Sequence, residues 1–396
     1  MKAVMYGAGN IGRGFIAQLF NLSGYETVFV DVNKDVIRML NREGKYPLFI
    51  TDKGDYIKTE VDNVRCADGS DITAVANEIA SADIMATAVG VNVLKFIAKP
   101  IAEGVKARMK TGKGPLDIII CENKIDANIY LHDLIAENLN DEEKEYFDRN
   151  FGFVEASIGR MVPKTPENIS EKYPLAVCVE KFCTLPVDRD AFKGEIPEIK
   201  NMLPYAPFEL FIQRKLYMHN MSHALCAYLG NLKGCEFIWE AASDIKIRFI
   251  ALGALCQSAQ ALASEHNASV SDLNEHSFDL LSRYDNKLLG DTVARVGNDT
   301  KRKLSPVDRL PGAIKLAMKH SLPYDYMVMG LAAGLLFDLD DSSAEVAAFA
   351  SQNGVKAALE KYSEISDPFV ISLCESYYNA LKESPEKAMD MLIHRY

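Results

Sequence analysis

Hydrophobic positions change rhythm along this chain. Up to about residue 200 they come as short, nearly continuous runs: Lys2–Tyr6, Thr27–Val30, Asp83–Val89, Leu116–Cys121 and Val177–Phe182. Unbroken apolar runs of this length predict strands covered on both faces, as in a parallel sheet. Between them, Ile11–Leu22, Val36–Asn41 and Val91–Ala107 carry the wider spacing of helices. This β–α–β alternation predicts an α/β domain with a doubly wound parallel sheet. After residue 200 strand-like runs nearly vanish. Long amphipathic patterns take over, as at Phe208–Leu229, Asp244–Ser264 and Ser342–Glu360. Residues 1–200 are expected to form the α/β domain and 201–396 a mainly α-helical one, with Pro197 and Pro204 punctuating the junction.

The 396-residue length supports two cores rather than one. A net charge of −11 disfavours nucleic acid and anionic membranes as partners, and means that an anionic small-molecule substrate needs a local basic pocket. No apolar run reaches the ~18 residues of a membrane span. The first residues enter a strand pattern with no charged leader before them. The eight cysteines include no CxxC pair and sit mostly in apolar runs, the expectation for buried thiols in a reducing cytoplasm.

One segment carries recognisable ligand chemistry. Gly7, Gly9 and Gly12 form GxGxxG within Gly7-Ala8-Gly9-Asn10-Ile11-Gly12, directly after the first strand and at the start of the first helix. The first glycine permits the tight turn, the second admits a pyrophosphate to the backbone, and the third lets helix and strand pack. Asp31 closes the second strand, placed to bond a ribose 2′-hydroxyl and repel a 2′-phosphate. The domain is therefore read as a Rossmann-type fold that binds NAD in preference to NADP. Thr87, Ala88 and Val89 end a later strand, where they either line the cofactor crevice or form a plain strand-to-helix turn. Arg13 is either a pyrophosphate contact or a solvated helix residue.

The helical pattern Phe208–Leu229 holds Lys215, His219, Asn220, Ser222 and His223. On a regular helix Lys215, His223 and Asn220 fall at about 0°, 80° and 140°, in one sector. A lysine of lowered pKa can take the hydroxyl proton of an alcohol as hydride leaves its carbon. An amide can steady the alkoxide, and an imidazole can orient either. Singly, each has a plainer reading as a solvated lysine or a satisfied core histidine. His219 and His223 have the spacing of zinc ligands, but the text HNMSH lacks the HExxH glutamate and no Cys/His cluster accompanies it, so no metal is expected.

Lys215-x4-Asn220-x2-His223 resembles the motif of the polyol-specific long-chain dehydrogenases. Tyr6–Ile16 (YGAGNIGRGFI), Thr87–Gly90 (TAVG), Cys121–Asn123 (CEN), Arg214–Leu216 (RKL), Ala227–Gly230 (AYLG) and Arg302–Leu310 (RKLSPVDRL) extend the resemblance in order over essentially the whole chain. It implies Lys215 as general base, Asn220 and His223 as its partners, and Asn123 as a further donor to the alkoxide. It also implies Arg295 and Lys303 as polyol contacts. Lys301, Arg302 and Arg309 are read either as a phosphate pocket or as a solvated basic loop. Gly159 stands where the family often has an aspartate, so a hydroxyl contact from that position is lost. The implied activity is metal-independent, NAD-linked oxidation of a polyol phosphate, with an enzyme of the same family acting on a free polyol or a hexuronate as the alternative. A non-catalytic NAD-binding regulator has no need of Lys215, Asn220, His223 and Asn123 together.

Overall fold

A computed structural model describes residues 1–52, 54–124 and 126–394. The chain divides into two compact units, Met1–Glu209 and Leu210–Tyr396. The strands in chain order are β1 (Lys2–Tyr6), β2 (Glu26–Asp31), β3 (Tyr46–Asp52), β4 (Asp55–Val61), β5 (Val64–Asp68), β6 (Ile84–Thr87), β7 (Leu116–Ile120), β8 (Phe151–Glu155), β9 (Val177–Glu180), β10 (Leu185–Asp188) and β11 (Met202–Tyr205). The main sheet runs β5-β2-β1-β6-β7-β8, every pairing parallel. Strand order reverses between β1 and β6, the topological switch point at which such sheets open a crevice beyond their carboxyl ends.

Alternation within the strands explains the two-sided burial. Ala3, Met5 and Phe29 face one hydrophobic layer with Phe15, Ile16 and Leu19. Val4, Tyr6, Val28 and Val30 face the other, with Ile97, Ile101 and Val105 from the helix Leu94–Thr111. A hairpin and one parallel neighbour make a second sheet, β4-β3-β9, and β10 and β11 pair in parallel. The hairpin is absent from the sequence expectation because β3 carries Pro47 and β4 is polar on its exposed face. Pairing of β11 with β10 keeps Met202–Tyr205 in the first unit, past the junction expected near residue 200.

The described residues of the second unit are helical, with one isolated antiparallel bridge between Phe237 and Thr292. Its centre is the helix Met221–Leu232, packed on Ile245–His266 and Asp325–Gly334. Most of the side chains of Met221–Leu232 are buried, which is why its apolar pattern runs almost all round. The single helix expected over Ser342–Glu360 is broken at Gly354, where φ is +87°. Only glycine enters that backbone region at low cost.

Candidate active site

The glycine turn is built by contacts that leave no room for side chains. Gly7 sits at φ +102°, and a Cβ there would lie 2.6 Å from the Ala88 carbonyl oxygen. A Cβ on Gly12 would lie 2.0 Å from the Gly7 carbonyl oxygen. Gly9 differs: a Cβ there meets nothing within 4 Å, so its glycine leaves open space against the backbone. The Asp31 carboxylate accepts the Ala8 N–H at 2.8 Å and the Asn33 N–H at 2.9 Å. About half of its lone-pair sites remain for a ligand. Asn10 is exposed and Ile11 partly buried at the helix start.

Arg13 follows neither of its sequence readings. Its guanidinium turns inward, donating to the Ala8 carbonyl at 2.6 Å and to the Leu175 carbonyl, and burial lowers its pKa. The helix here opens into a wide, π-type turn over Gly12–Ile16. Such a turn frees carbonyls from the regular ladder. Here the Tyr46 hydroxyl donates to the Arg13 carbonyl at 2.6 Å and Arg160 donates to that of Gly14 at 3.0 Å. Arg160, next to Gly159, is itself buried and also donates to the Glu180 carbonyl.

At the switch point the Thr87 hydroxyl donates to Glu122 at 2.7 Å, and the Val89 N–H donates to the other oxygen of that carboxylate at 3.0 Å. Glu122 thus ties together the ends of β6 and β7, and burial raises its pKa. Sequence reasoning passed over it; its place in the Cys-Glu-Asn text beyond an apolar strand was the available signal. Thr87 is buried, Ala88 and Val89 are half-buried, and Asn123 is exposed after the end of β7.

In the second unit the helices Glu209–Arg214 and Met221–Leu232 flank another wide turn, Lys215–Asn220, on the residues singled out above. The 100° spacing used for the sequence reading does not hold through it. Hydroxyl groups meet its carbonyls: Ser258 donates to Tyr217 at 2.8 Å, Ser222 to Met218 at 2.7 Å and Tyr284 to His219 at 2.9 Å. Lys215, Asn220 and His223 are all partly buried, while His219 and Ser222 are buried. The His223 ring stacks on Tyr284, centroids 4.9 Å apart. Its buried Nε2 lacks a hydrogen-bond partner; the Asp291 carboxylate stands 3.5 Å away, beyond good bonding distance. Burial, then the charges of Arg295, Arg309 and Lys303, push the His223 pKa down to about 3. The ring is therefore neutral at pH 7.

Asp291 also escaped the sequence reading. The Ile238 N–H donates to its carbonyl at 2.8 Å beside the Phe237–Thr292 bridge, and its carboxylate pairs with Arg295. Lys303 is buried and donates to the Val296 carbonyl and the Asn298 side chain, both at 2.8 Å. Burial and neighbouring arginines lower its pKa to about 7. Arg302 is exposed and bonds Asp299 at 2.7 Å, Arg309 bonds Asp308 at 2.6 Å, and Lys301 pairs with Glu345 at 2.9 Å. The charges of Arg295, Lys303 and Arg309 all act on His223, with Lys303 buried, Arg309 partly buried and Arg295 exposed like Arg302 and Lys301. Each of the four besides Lys303 has a carboxylate partner.

Residues 1–201 match the mannitol dehydrogenase Rossmann domain and residues 208–382 the mannitol dehydrogenase C-terminal domain. The chain is 34% identical over 390 residues to mannitol-1-phosphate 5-dehydrogenase of Clostridium acetobutylicum, covering 97% of this chain and 100% of that one. It is 37% identical over 338 residues to the enzyme of that name from Thermoanaerobacter pseudethanolicus, covering 85% and 86%. In fold it is similar to a substrate-free D-sorbitol dehydrogenase (TM-score 0.84, 16% identity, 98% and 94% covered). It is also similar to Pseudomonas fluorescens mannitol 2-dehydrogenase in its ternary complex with NAD and D-mannitol (TM-score 0.75, 15% identity, 100% and 95% covered). On these matches to both halves, the chain belongs to the mannitol dehydrogenase family.

Proposed function

We propose that this protein is an NAD-dependent dehydrogenase that interconverts D-mannitol 1-phosphate and D-fructose 6-phosphate. The observation that carries the chemistry is the neutral, partnerless Nε2 of His223, on the helix that bears Lys215 and Asn220 and ringed by cations. A buried polar atom of this kind costs stability unless a ligand satisfies it. The choice of substrate is supported by relatives matched over 97% and 85% of the chain, which are named for mannitol 1-phosphate.

The first unit suits a dinucleotide. Open space at Gly9 admits a pyrophosphate, and Asp31 offers its remaining lone pairs to a ribose while repelling a 2′-phosphate. Ala8, Asn10, Ile11, Thr87, Ala88 and Val89 contribute backbone and surface to that crevice. When bound, NAD supplies the hydride acceptor. Lys215 takes the proton of the substrate hydroxyl, as it must be neutral to do. Asn220 and Asn123 donate to the developing alkoxide, and His223 orients the hydroxyl. Arg295 and Lys303 contact the rest of the polyol chain, and Arg302 and Arg309 the phosphate.

One observation favours a free polyol or a hexuronate such as tagaturonate or fructuronate instead: carboxylates already balance Arg302, Arg309 and Lys301. Turnover of D-fructose 6-phosphate, D-fructose and tagaturonate with NADH separates the readings. The phosphate ester is expected to lead in kcat/KM by at least about 30-fold, the value of one buried charge pair. A better rate with tagaturonate or free fructose would refute the assignment.

A further inference from the structure

Asp291 has no part in the chemistry derived so far, yet its side chain is built into the site. Its backbone is fixed on both sides of the Phe237–Thr292 bridge. The Asp291 carbonyl accepts the Ile238 N–H at 2.8 Å, and the Val293 N–H donates to the Glu236 carbonyl at 2.9 Å. Thr292 then caps the helix Val293–Gly297, its hydroxyl accepting the Arg295 N–H at 3.2 Å. The Asp291 side chain is 12% exposed. Its Oδ1 pairs with the Arg295 guanidinium, and its Oδ2 faces His223 Nε2 at 3.5 Å. Burial raises the Asp291 pKa, and the Arg295 charge opposes that rise.

The imidazole that Asp291 faces has little freedom. Its ring lies within 9° of parallel to Tyr284, whose hydroxyl stands 2.9 Å from that of Ser222 and donates to the His219 carbonyl. A neutral imidazole carries one N–H and one lone pair, so its two nitrogens cannot play the same part. A lone pair on Nε2 would meet the carboxylate lone pairs across 3.5 Å, whereas a proton there is attracted to them. That distance is too long to close a hydrogen bond. The carboxylate therefore selects the tautomer without consuming its N–H, which stays available to a substrate oxygen.

We propose that Asp291 is a positioning residue that fixes the proton of His223 on Nε2, so that this nitrogen donates to the substrate oxygen. The inference rests on the dehydrogenase reading and deepens it, because it assigns which nitrogen His223 presents and what sets it. The same carboxylate stays on Arg295 through its other oxygen, so one side chain serves both residues.

The test uses the full chain, isotope-labelled at histidine. Nitrogen NMR distinguishes the two neutral tautomers, and the resonances missing from H223A are those of His223. The wild type is expected to carry the proton on Nε2. In D291N the amide oxygen stays on Arg295 and the NH2 turns toward Nε2, so the proton moves to Nδ1. Loss of the Nε2 donor lowers kcat with D-fructose 6-phosphate and NADH about 10²-fold. In an H223A background D291N changes kcat by no more than about twofold, since the residue it acts through is gone. A wild-type His223 protonated on Nδ1 overturns the inference, as does an equal loss of kcat in both backgrounds. The wild-type spectrum needs no change at Asp291, so it stays decisive even if D291N does not fold. If the Nε2 proton is found but the wild type does not reduce D-fructose 6-phosphate, the proposed function falls and the tautomer assignment stands.

Discussion

The three glycines of the turn should separate experimentally into two that shape the fold and one that admits the ligand. At Gly12 an added methyl lies 2.0 Å from the Gly7 carbonyl oxygen, and Gly7 is itself pressed against the Ala88 carbonyl, so the turn has nowhere to retreat. Gly12→Ala therefore falls at the severe end of overpacking, about 3 kcal/mol. For a unit of this size that lowers Tm by roughly 6–12 °C. At Gly9 the methyl meets nothing within 4 Å and the backbone carries no left-handed φ. Gly9→Ala should leave the apo protein as stable or raise it by about 0.4–1 kcal/mol, through loss of unfolded-state freedom. The same methyl fills the approach to the pyrophosphate, and NADH affinity should drop at least about 10-fold. Thermal unfolding by circular dichroism and NADH titration by fluorescence read the two effects independently. Wild-type NADH affinity in Gly9→Ala, or wild-type stability in Gly12→Ala, would refute the division of roles.

Asp31→Ser removes the charge that repels a 2′-phosphate together with an anchor of the turn at Ala8. KM for NADH should rise about 10-fold and the NADPH-to-NADH ratio of kcat/KM should increase; a ratio unchanged from the wild type would contradict the assignment. Burial lowers His223 and His276 each to about 3 from an ordinary value near 6.5. Between those values the unfolded chain binds protons that the folded chain does not. Stability should therefore fall as pH drops from about 6.5 toward 3, by up to about 1.4 kcal/mol per pH unit for each ring. Urea midpoints across that range should show a shallower slope in His276→Asn, and an unchanged slope would count against the burial described.

The sheet was legible where apolar runs were continuous. β1 matches its expected span of Lys2–Tyr6, and β2, β6, β7 and β9 lie within two residues of theirs at each end. β8 was not, because its five residues follow directly on the polar helix Asp141–Asn150 and offer no turn signal. The glycine turn and Asp31 could be read because local backbone geometry dictates their spacing. The wide turn at Lys215–Asn220 could not. It depends on Ser258 and Tyr284, distant in sequence, to take up its carbonyls. Charge balance was equally hidden. The run Lys301–Arg309 reads as basic, but Asp299, Asp308 and Glu345 fold onto it.

The role of Lys215 is tested most directly by kcat of Lys215→Ala, measured alongside its NADH affinity. Loss of a general base predicts kcat reduced about 10²–10⁴-fold with NADH binding within about twofold of the wild type. A variant that turns over at the wild-type rate would show that the proton leaves by another group.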